Sequence, residues 1–110
     1  MLPKEHRLAV SDFKGLKSTR SAVSPHLQLR FGQLPPESPA KAAAVVSTKV
    51  AKSAVARNLL RRRVYAVLDA HLRGKRGFFI TITARSGAAA LSFAILEHEL
   101  GTLLKGLKTS

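Results

Sequence analysis

The amino-acid sequence predicts an α+β fold, a two-layer α/β sandwich in which helices cover a small mixed sheet. Two segments, 26–31 and 78–84, repeat with the period of two that is typical of strands. Two others, 53–73 and the stretch that follows Ser92, repeat with the 3.6-residue period of a helix that buries one side. A chain of 110 residues is long enough for one modest core, so we interpret residues 1–110 as a single domain.

The N-terminal half of the chain is predicted to contain one short helix and two strands. Residues 11–17 begin with a Ser that can cap a helix, and residues 18–25 form a polar connection. Residues 26–31 (HLQLRF) place apolar side chains on one face and polar side chains on the other, as a half-buried strand does. A Pro-rich surface loop over residues 32–41 leads to residues 42–50, whose β-branched content indicates a second strand.

The C-terminal half is predicted to contain a long helix, a strand and a final helix. The long helix covers residues 53–73, and Gly74 just past its end is a typical stop signal. Residues 78–84 (FFITITA) form the strand, and Ser92 caps the final helix. The apolar stripe of the long helix comprises Ala56, Leu60, Val64, Val67, Leu68 and His71. Its other side carries Asn58, Arg61, Arg62, Tyr65 and Asp69.

The charge of the chain is extreme for its size, with 19 Lys and Arg against 6 Asp and Glu and a net charge of +13. Self-repulsion on this scale destabilises a compact domain, so we expect an anionic partner. Residues 49–63 contain six cations and no acid: Lys49, Lys52, Arg57, Arg61, Arg62 and Arg63. Nucleic acid is the leading candidate for the partner. An anionic membrane surface is the second, and a role as a basic ribosomal-type protein is the third.

Two aromatic residues have a cation close by in the sequence, Phe13 with Lys17 and Phe31 with Arg30. Such pairs can stack on bases beside a group that binds phosphate, as in proteins that bind single strands. The alternative is that both phenylalanines belong to the core. The residues alone leave both interpretations open.

The sequence gives no sign of a catalytic or metal site of the protein's own. It contains no Cys, which excludes disulfides and thiolate metal ligands. Its four His are not paired at metal-ligand spacing and its acids are scattered. No apolar run approaches the roughly 20 residues that span a bilayer, and the N-terminus lacks the pattern of a signal peptide. We therefore expect a cytoplasmic protein. The final helix carries Glu97 and Glu99 in its first half and cations only at Lys105 and Lys108, unlike a helix that binds a membrane surface, so we expect no membrane contact.

The motif V-S-x-K-V at residues 46–50, followed by A-V-x-R-N-x-L-x-R-R at residues 54–63, resembles the protein subunit of bacterial ribonuclease P. The likeness extends over nearly the whole chain, because MLPKEHRL, HLQLRF and FFITITARSGAAALSF are similar to segments of that family in the same order. Three positions depart from the family pattern, and the link between Lys49 and Arg57 is one residue longer than usual. Lys17 replaces a second aromatic residue that is often found in the first helix. Leu59 stands where the commonest motif has a second Arg, and Thr48 precedes Lys49 where a Lys-Lys pair is commonest.

The resemblance implies a ribosomal S5 domain 2-like sandwich with a long basic helix and an unusual left-handed crossover. It also implies a ribonucleoprotein in which a catalytic RNA, using magnesium that it largely binds itself, removes the 5′ leader of precursor tRNA. The protein is then a non-catalytic subunit of this endonuclease, with no protein partner implied. The side chains expected to face the RNA subunit are Lys52, Arg57, Asn58, Arg61, Arg62 and Arg63. Those expected to line a cleft for the leader are Phe13, Lys17, Phe31, Ser47 and Lys49.

One other function fits the same residues, that of a non-catalytic basic ribosomal protein or RNA chaperone. Only a ribonuclease P subunit is expected to restore 5′ maturation of precursor tRNA by its matching RNA in low magnesium. An enzyme with its own active site is a third class, and it predicts cleavage by the protein alone.

Overall fold

The structure, a computed structural model, describes residues 20–107 of the 110. The helix predicted over residues 11–17 therefore lies outside the described residues. The elements are, in chain order, strands β1 (Arg20–Val23), β2 (Leu27–Gln33) and β3 (Lys41–Val45), helix α1 (Ala54–Leu72), strand β4 (Phe78–Ala84), a short 3-10 turn (Ala88–Ala90) and helix α2 (Phe93–Leu107).

The four strands form one mixed sheet in the order β1-β2-β4-β3. Strands β1 and β4 both pair antiparallel with β2, whereas β3 runs parallel to β4 at the edge of the sheet. A parallel pair needs a crossover connection, which helix α1 supplies here. The predicted α+β class with a small mixed sheet is confirmed.

Both helices pack on the same face of the sheet, α1 over β3 and α2 over β1 and β2. The strand positions that alternate toward the helices are buried: Leu27, Leu29, Phe31, Ile80 and Ile82. Helix α1 buries Leu60, Val64, Val67, Leu68 and Leu72, and helix α2 buries Leu96, Leu100 and Leu103. The predicted stripe of α1 is thus confirmed at its centre. At its end it is wrong, because Leu72 occupies the buried position and His71 is only half-buried.

Short-range signals fix both ends of α1 and the start of α2 as the sequence predicts. Ser53 has an extended backbone, and its Oγ accepts a hydrogen bond from the Ala56 amide at 3.0 Å. Gly74 has a φ of 72°, a left-handed conformation that ends α1 at little cost only with glycine. Ser92 Oγ accepts a hydrogen bond from the Ile95 amide at 3.3 Å at the start of α2.

Strand β1 contradicts the prediction of a polar connection over residues 18–25. Only Ala22 in this strand is even half-buried, so its sequence lacks the alternation that indicates a strand. The strand forms because it pairs with β2, with Arg20 opposite Phe31 and Val23 opposite Gln28.

Strand β3 is shorter than predicted, since it ends at Val45 and not at residue 50. The apolar residues beyond its end have another use, because Val46 and Ala51 are buried and Val50 packs against the core from the following loop. The apolar residues that indicated the strand therefore extend beyond its end, where they anchor a loop.

Candidate nucleic-acid interface

The loop between β3 and α1, residues 46–53, holds two lysines in solvent. Three apolar side chains anchor this loop in the core: Val46, Val50 and Ala51. The Ser47 carbonyl accepts hydrogen bonds from two backbone amides further along the turn, each at 3.1 Å. Lys49 and Lys52 are exposed beside these anchors. The loop is therefore a fixed support for positive charge.

Arg57, in the first turn of α1, fastens that loop to the helix. Its Nη1 donates hydrogen bonds to the carbonyl oxygens of Ala51 at 3.0 Å and Lys52 at 2.8 Å. The guanidinium remains partly exposed. Arg57 therefore both orders the segment that carries Lys49 and Lys52 and adds a charge of its own beside them.

The N-terminus of α1 adds a partial positive charge to the same region. Unsatisfied amides and the aligned peptide dipoles favour anions at this end of a helix. No acid lies in residues 46–68, so nothing in this stretch of sequence offsets the cations. The region is suited to phosphate groups.

Further along α1, Arg61 and Asn58 act as one polar unit. Arg61 Nη1 donates a hydrogen bond to Asn58 Oδ1 at 3.0 Å, which links the guanidinium to the amide across one helical turn. Arg62 projects into solvent beside them. Because a guanidinium can donate two parallel hydrogen bonds to one phosphate, Arg62 is well placed to contact a nucleic-acid backbone.

Arg63 lies on the side of α1 that is next to the connection before α2, and its guanidinium is hydrogen-bonded within the protein. Its Nη1 donates a hydrogen bond to the Leu91 carbonyl at 3.2 Å, so it ties α1 to the connection before α2. The six residues predicted to face RNA therefore divide. Lys52, Asn58 and Arg62 are exposed, whereas Arg57, Arg61 and Arg63 are half-buried.

The basic surface ends in the C-terminal half of α1. There Asp69 Oδ2 accepts a hydrogen bond from Arg73 Nη2 at 2.9 Å, in an ion pair one turn apart. A paired cation attracts an external phosphate less strongly than an uncompensated one. The N-terminal half of α1, together with loop 46–53, is therefore the candidate interface.

Of the five residues predicted to line a leader cleft, three lie in the part of the chain that the structure describes, and they lie in two places. Phe31 is only 8% exposed and stacks on Phe78 at 5.5 Å between ring centroids, so it belongs to the core under the helices. Ser47 and Lys49 are exposed in loop 46–53. Phe13 and Lys17 lie outside the described residues. The part of all five residues in leader binding stays a prediction.

The sheet face that points away from the helices presents Arg30, which the sequence predicted on the polar face of its strand. Arg30 is exposed there, opposite Thr81 of β4. Adjacent residues of a strand point to opposite faces, so Arg30 and the buried Phe31 lie on the two sides of the sheet. The predicted alternation is confirmed.

A partly buried carboxylate that the sequence did not single out holds the turn between β1 and β2. Glu99 of α2 accepts hydrogen bonds from Ser24 Oγ, from the His26 amide at 2.9 Å and from His26 Nδ1 at 2.8 Å. Burial raises the pKa of the Glu99 carboxyl, but the hydrogen bonds from Ser24 and His26 outweigh it and hold that pKa below its ordinary value. Glu99 thus joins α2 to the turn between β1 and β2.

Tyr65 is also used differently from the prediction, which placed it on the outer side of α1. Its hydroxyl accepts a hydrogen bond from the Ala44 amide at 3.0 Å, and its ring packs against the core. Since β3 is an edge strand, this contact supports its outer side.

Across residues 20–107, none of the helices has the length and apolar character that crossing a bilayer requires.

A family model described as Ribonuclease P matches residues 2–108 of the sequence. The chain belongs to the ribonuclease P family. Curated protein sequences give no significant match.

Solved structures of ribonuclease P proteins share the fold. The Staphylococcus aureus RNase P protein is similar with a TM-score of 0.79 and 19% identity, over 96% of this chain and 97% of that chain. The Thermotoga maritima RNase P protein is similar with a TM-score of 0.71 and 23% identity, over 91% of this chain and 96% of that chain. At these identities the likeness establishes the fold, and it confirms the sandwich that the resemblance implied.

Proposed function

We propose that this chain is the protein subunit of a bacterial ribonuclease P, in which a catalytic RNA carries out the cleavage. The protein binds that RNA and the 5′ leader of precursor tRNA, and it assists endonucleolytic removal of the leader. One observation supports this most strongly. Loop 46–53 and the first half of α1 carry several cations, and residues 46–68 contain no acid, in a chain of the ribonuclease P family.

Lys52, Asn58 and Arg62, the three exposed residues among the six predicted to face the RNA subunit, are proposed to make direct contacts with it. Lys52 and Arg62 neutralise phosphates, and each such contact releases counterions from the RNA. Asn58 supplies an amide beside them, held by Arg61. Arg57 and Arg63 contribute charge as well, while their hydrogen bonds to backbone carbonyls hold loop 46–53 and the connection before α2 against α1.

Magnesium is proposed to reside mainly on the RNA subunit. Over the described residues, no group of three or more His, Asp or Glu side chains comes together that could hold a metal ion. We expect the protein to lower the magnesium concentration that the RNA requires, since its cations take over part of the charge neutralisation.

The leader of precursor tRNA is proposed to pass Ser47 and Lys49, together with Phe13 and Lys17. We add Arg30, because it is exposed on the sheet face away from the helices. Phe31 would support this surface from the core side of the same strand. A single-stranded leader carries both phosphates and unstacked bases, so cations beside a sheet face suit it.

The deciding experiment is reconstitution with the ribonuclease P RNA of the same organism in low magnesium. We expect the protein to restore cleavage of precursor tRNA at the mature 5′ end, where the RNA alone is inactive. A ribosomal protein or RNA chaperone would bind RNA without restoring this cleavage. Cleavage by the protein alone, after exhaustive removal of RNA, would indicate an active site in the protein and contradict the proposal.

Leader binding is tested by comparing affinities for precursor tRNA and mature tRNA in the reconstituted complex. Changing Lys49 or Arg30 to Ala should weaken binding of the precursor by about fivefold, as loss of one phosphate contact does near physiological salt. Mature tRNA should bind as before. The matched control is Lys75→Ala, which removes the same charge from the turn after α1. Equal losses for both tRNAs would place the contacts elsewhere.

A further inference from the structure

The outermost stripe of α1 is not purely basic, because two aliphatic side chains lie within it. Val55 is 79% exposed and Leu59 is 47% exposed, and neither belongs to the core. They are four residues apart and therefore adjacent on one face of the helix. Arg62 follows on the same face one turn later. We call the pair Val55 and Leu59 the aliphatic ridge.

A single exposed aliphatic residue is ordinary on a protein surface and needs no explanation. The aliphatic ridge differs because it is continuous and lies among the groups proposed to bind RNA. Asn58 is next to Leu59 in the chain, and Lys52 lies just before the start of the helix. A partner that contacts these polar residues must also cover the ridge.

We propose that the aliphatic ridge packs against an unpaired base of the partner RNA, while Lys52 and Arg62 hold the phosphates on either side. This inference rests on the proposed function and refines it. An unstacked base presents an apolar face close to charged phosphates, which is the combination that this surface complements. A second copy of the chain fits less well, because it would bring its own Arg62 toward this one in a protein of net charge +13.

Such a contact changes how binding depends on salt. Phosphate contacts weaken as salt rises, because their free energy comes largely from released counterions. Burial of aliphatic surface releases no counterions, so its contribution is the same at low and moderate salt. The ridge would therefore give the complex a part of its affinity that salt does not remove.

The first experiment measures the Kd for the ribonuclease P RNA over a series of KCl concentrations. Leu59→Ser should weaken binding by about fivefold at every concentration. The complex loses the burial of an aliphatic side chain that is half-exposed in the free protein. The slope of log K against log salt should not change. The matched control is Ile95→Ser on α2, where an aliphatic side chain is 55% exposed outside the interface, and it should bind as the parent does.

The second experiment replaces the RNA with heparin, a polyanion that has no bases. Leu59→Ser should bind heparin as tightly as the parent protein does, whereas Arg62→Ala should bind both heparin and RNA more weakly. Equal weakening of heparin and RNA binding by Leu59→Ser would show that the ridge acts through the cations, and the proposal of a base contact would be wrong.

Three other outcomes would also overturn the inference. Unchanged RNA affinity in Leu59→Ser, with weaker binding in Arg62→Ala, would refute the base contact and leave the proposed function intact. A parent protein that is dimeric without RNA and becomes monomeric in Leu59→Ser would assign the ridge to self-association. If neither variant affects RNA binding, the α1 interface itself is wrong. Thermal unfolding of each variant verifies that it is folded.

Discussion

Helices α1 and α2 pack on the same face of one sheet, but their charged residues differ in exposure. In α2, Glu99 turns inward and accepts three hydrogen bonds from the turn between β1 and β2. In the first half of α1, Lys52 before the helix and Arg62 within it remain in solvent. The comparison shows that the charge of Glu99 completes the fold, whereas the charges of Lys52 and Arg62 are accessible to solvent.

Whether a charged residue serves the fold or remains in solvent depends on its own contacts and not on the helix that carries it. Arg57 and Arg63 belong to α1, yet each donates hydrogen bonds to backbone carbonyls inside the domain. Substituting them would affect folding and binding together. Arg62 is a cleaner test of binding, and Glu99 and Leu100 are cleaner tests of folding.

The largest effect on stability is expected from Leu100→Ala in α2. Leu100 is fully buried between the helix and the sheet, and its truncation leaves a cavity that should lower the free energy of unfolding by about 3 kcal/mol. Urea denaturation measures the loss, with Leu104→Ala at a half-buried position as the milder control. RNA affinity of the molecules that remain folded should not change. A specific loss of RNA affinity would mean that α2 also contacts RNA.

The next largest effect is expected from Glu99→Gln, which should lower the free energy of unfolding by about 2 kcal/mol at pH 7, since the lost hydrogen bonds involve a charged acceptor. The folded pKa of Glu99 lies below its ordinary value. The stabilisation is therefore complete above that ordinary value and disappears as pH falls through the folded pKa. The parent and Glu99→Gln should thus approach equal stability in acid.

The control for the loss at pH 7 is Glu97→Gln, at an exposed position on the same helix. It should be as stable as the parent, because an exposed carboxylate contributes little to stability. If Glu99→Gln is as stable as the parent at pH 7, the carboxylate does not hold α2 to the β1–β2 turn.

Arg62→Ala tests the other side of the comparison and should act on binding alone. Loss of one phosphate contact should weaken RNA binding about fivefold near physiological salt and lower the salt slope by about one unit. Urea denaturation should give the parent's stability, because the side chain is exposed. Lys75→Ala removes an equal charge beyond the far end of α1 and serves as the control. Equal effects of the two variants would indicate a response to net charge only.

The smallest effect is expected from Tyr65→Phe, which shows that α1 also serves the fold. The change removes the acceptor of the Ala44 amide on the edge strand and should lower the free energy of unfolding by about 0.5 kcal/mol. Hydrogen exchange at the Ala44 amide should accelerate. RNA affinity should be unchanged, and a loss of affinity would place Tyr65 in the interface.

The parts of the fold that the sequence predicted depend on neighbouring residues. Ser53 and Ser92 cap helices through amides three residues away, and Gly74 stops α1 through its own backbone. Strand β4 was predicted with the bounds that the structure has, because its β-branched and aromatic residues are contiguous. Such signals can be read directly from a short window of sequence.

What the sequence did not predict depends on distant partners. Ser24 and Glu99 are 75 residues apart, and Tyr65 and Ala44 are 21 apart, so no local pattern indicates that they meet. At the interface, the cationic stretch was evident from composition. Which arginines are exposed and which are engaged with carbonyls depends on the packing of loop 46–53 and of the connection before α2.

The hydrogen bonds of Arg57 to the carbonyls of Ala51 and Lys52 have a consequence for the speed of recognition. They preorganise the segment before α1 while no ligand is bound, so little conformational entropy is lost when a partner docks. The association rate should then be set by diffusion under electrostatic attraction rather than by a folding step. We expect it to rise linearly with RNA concentration and to fall steeply as ionic strength increases.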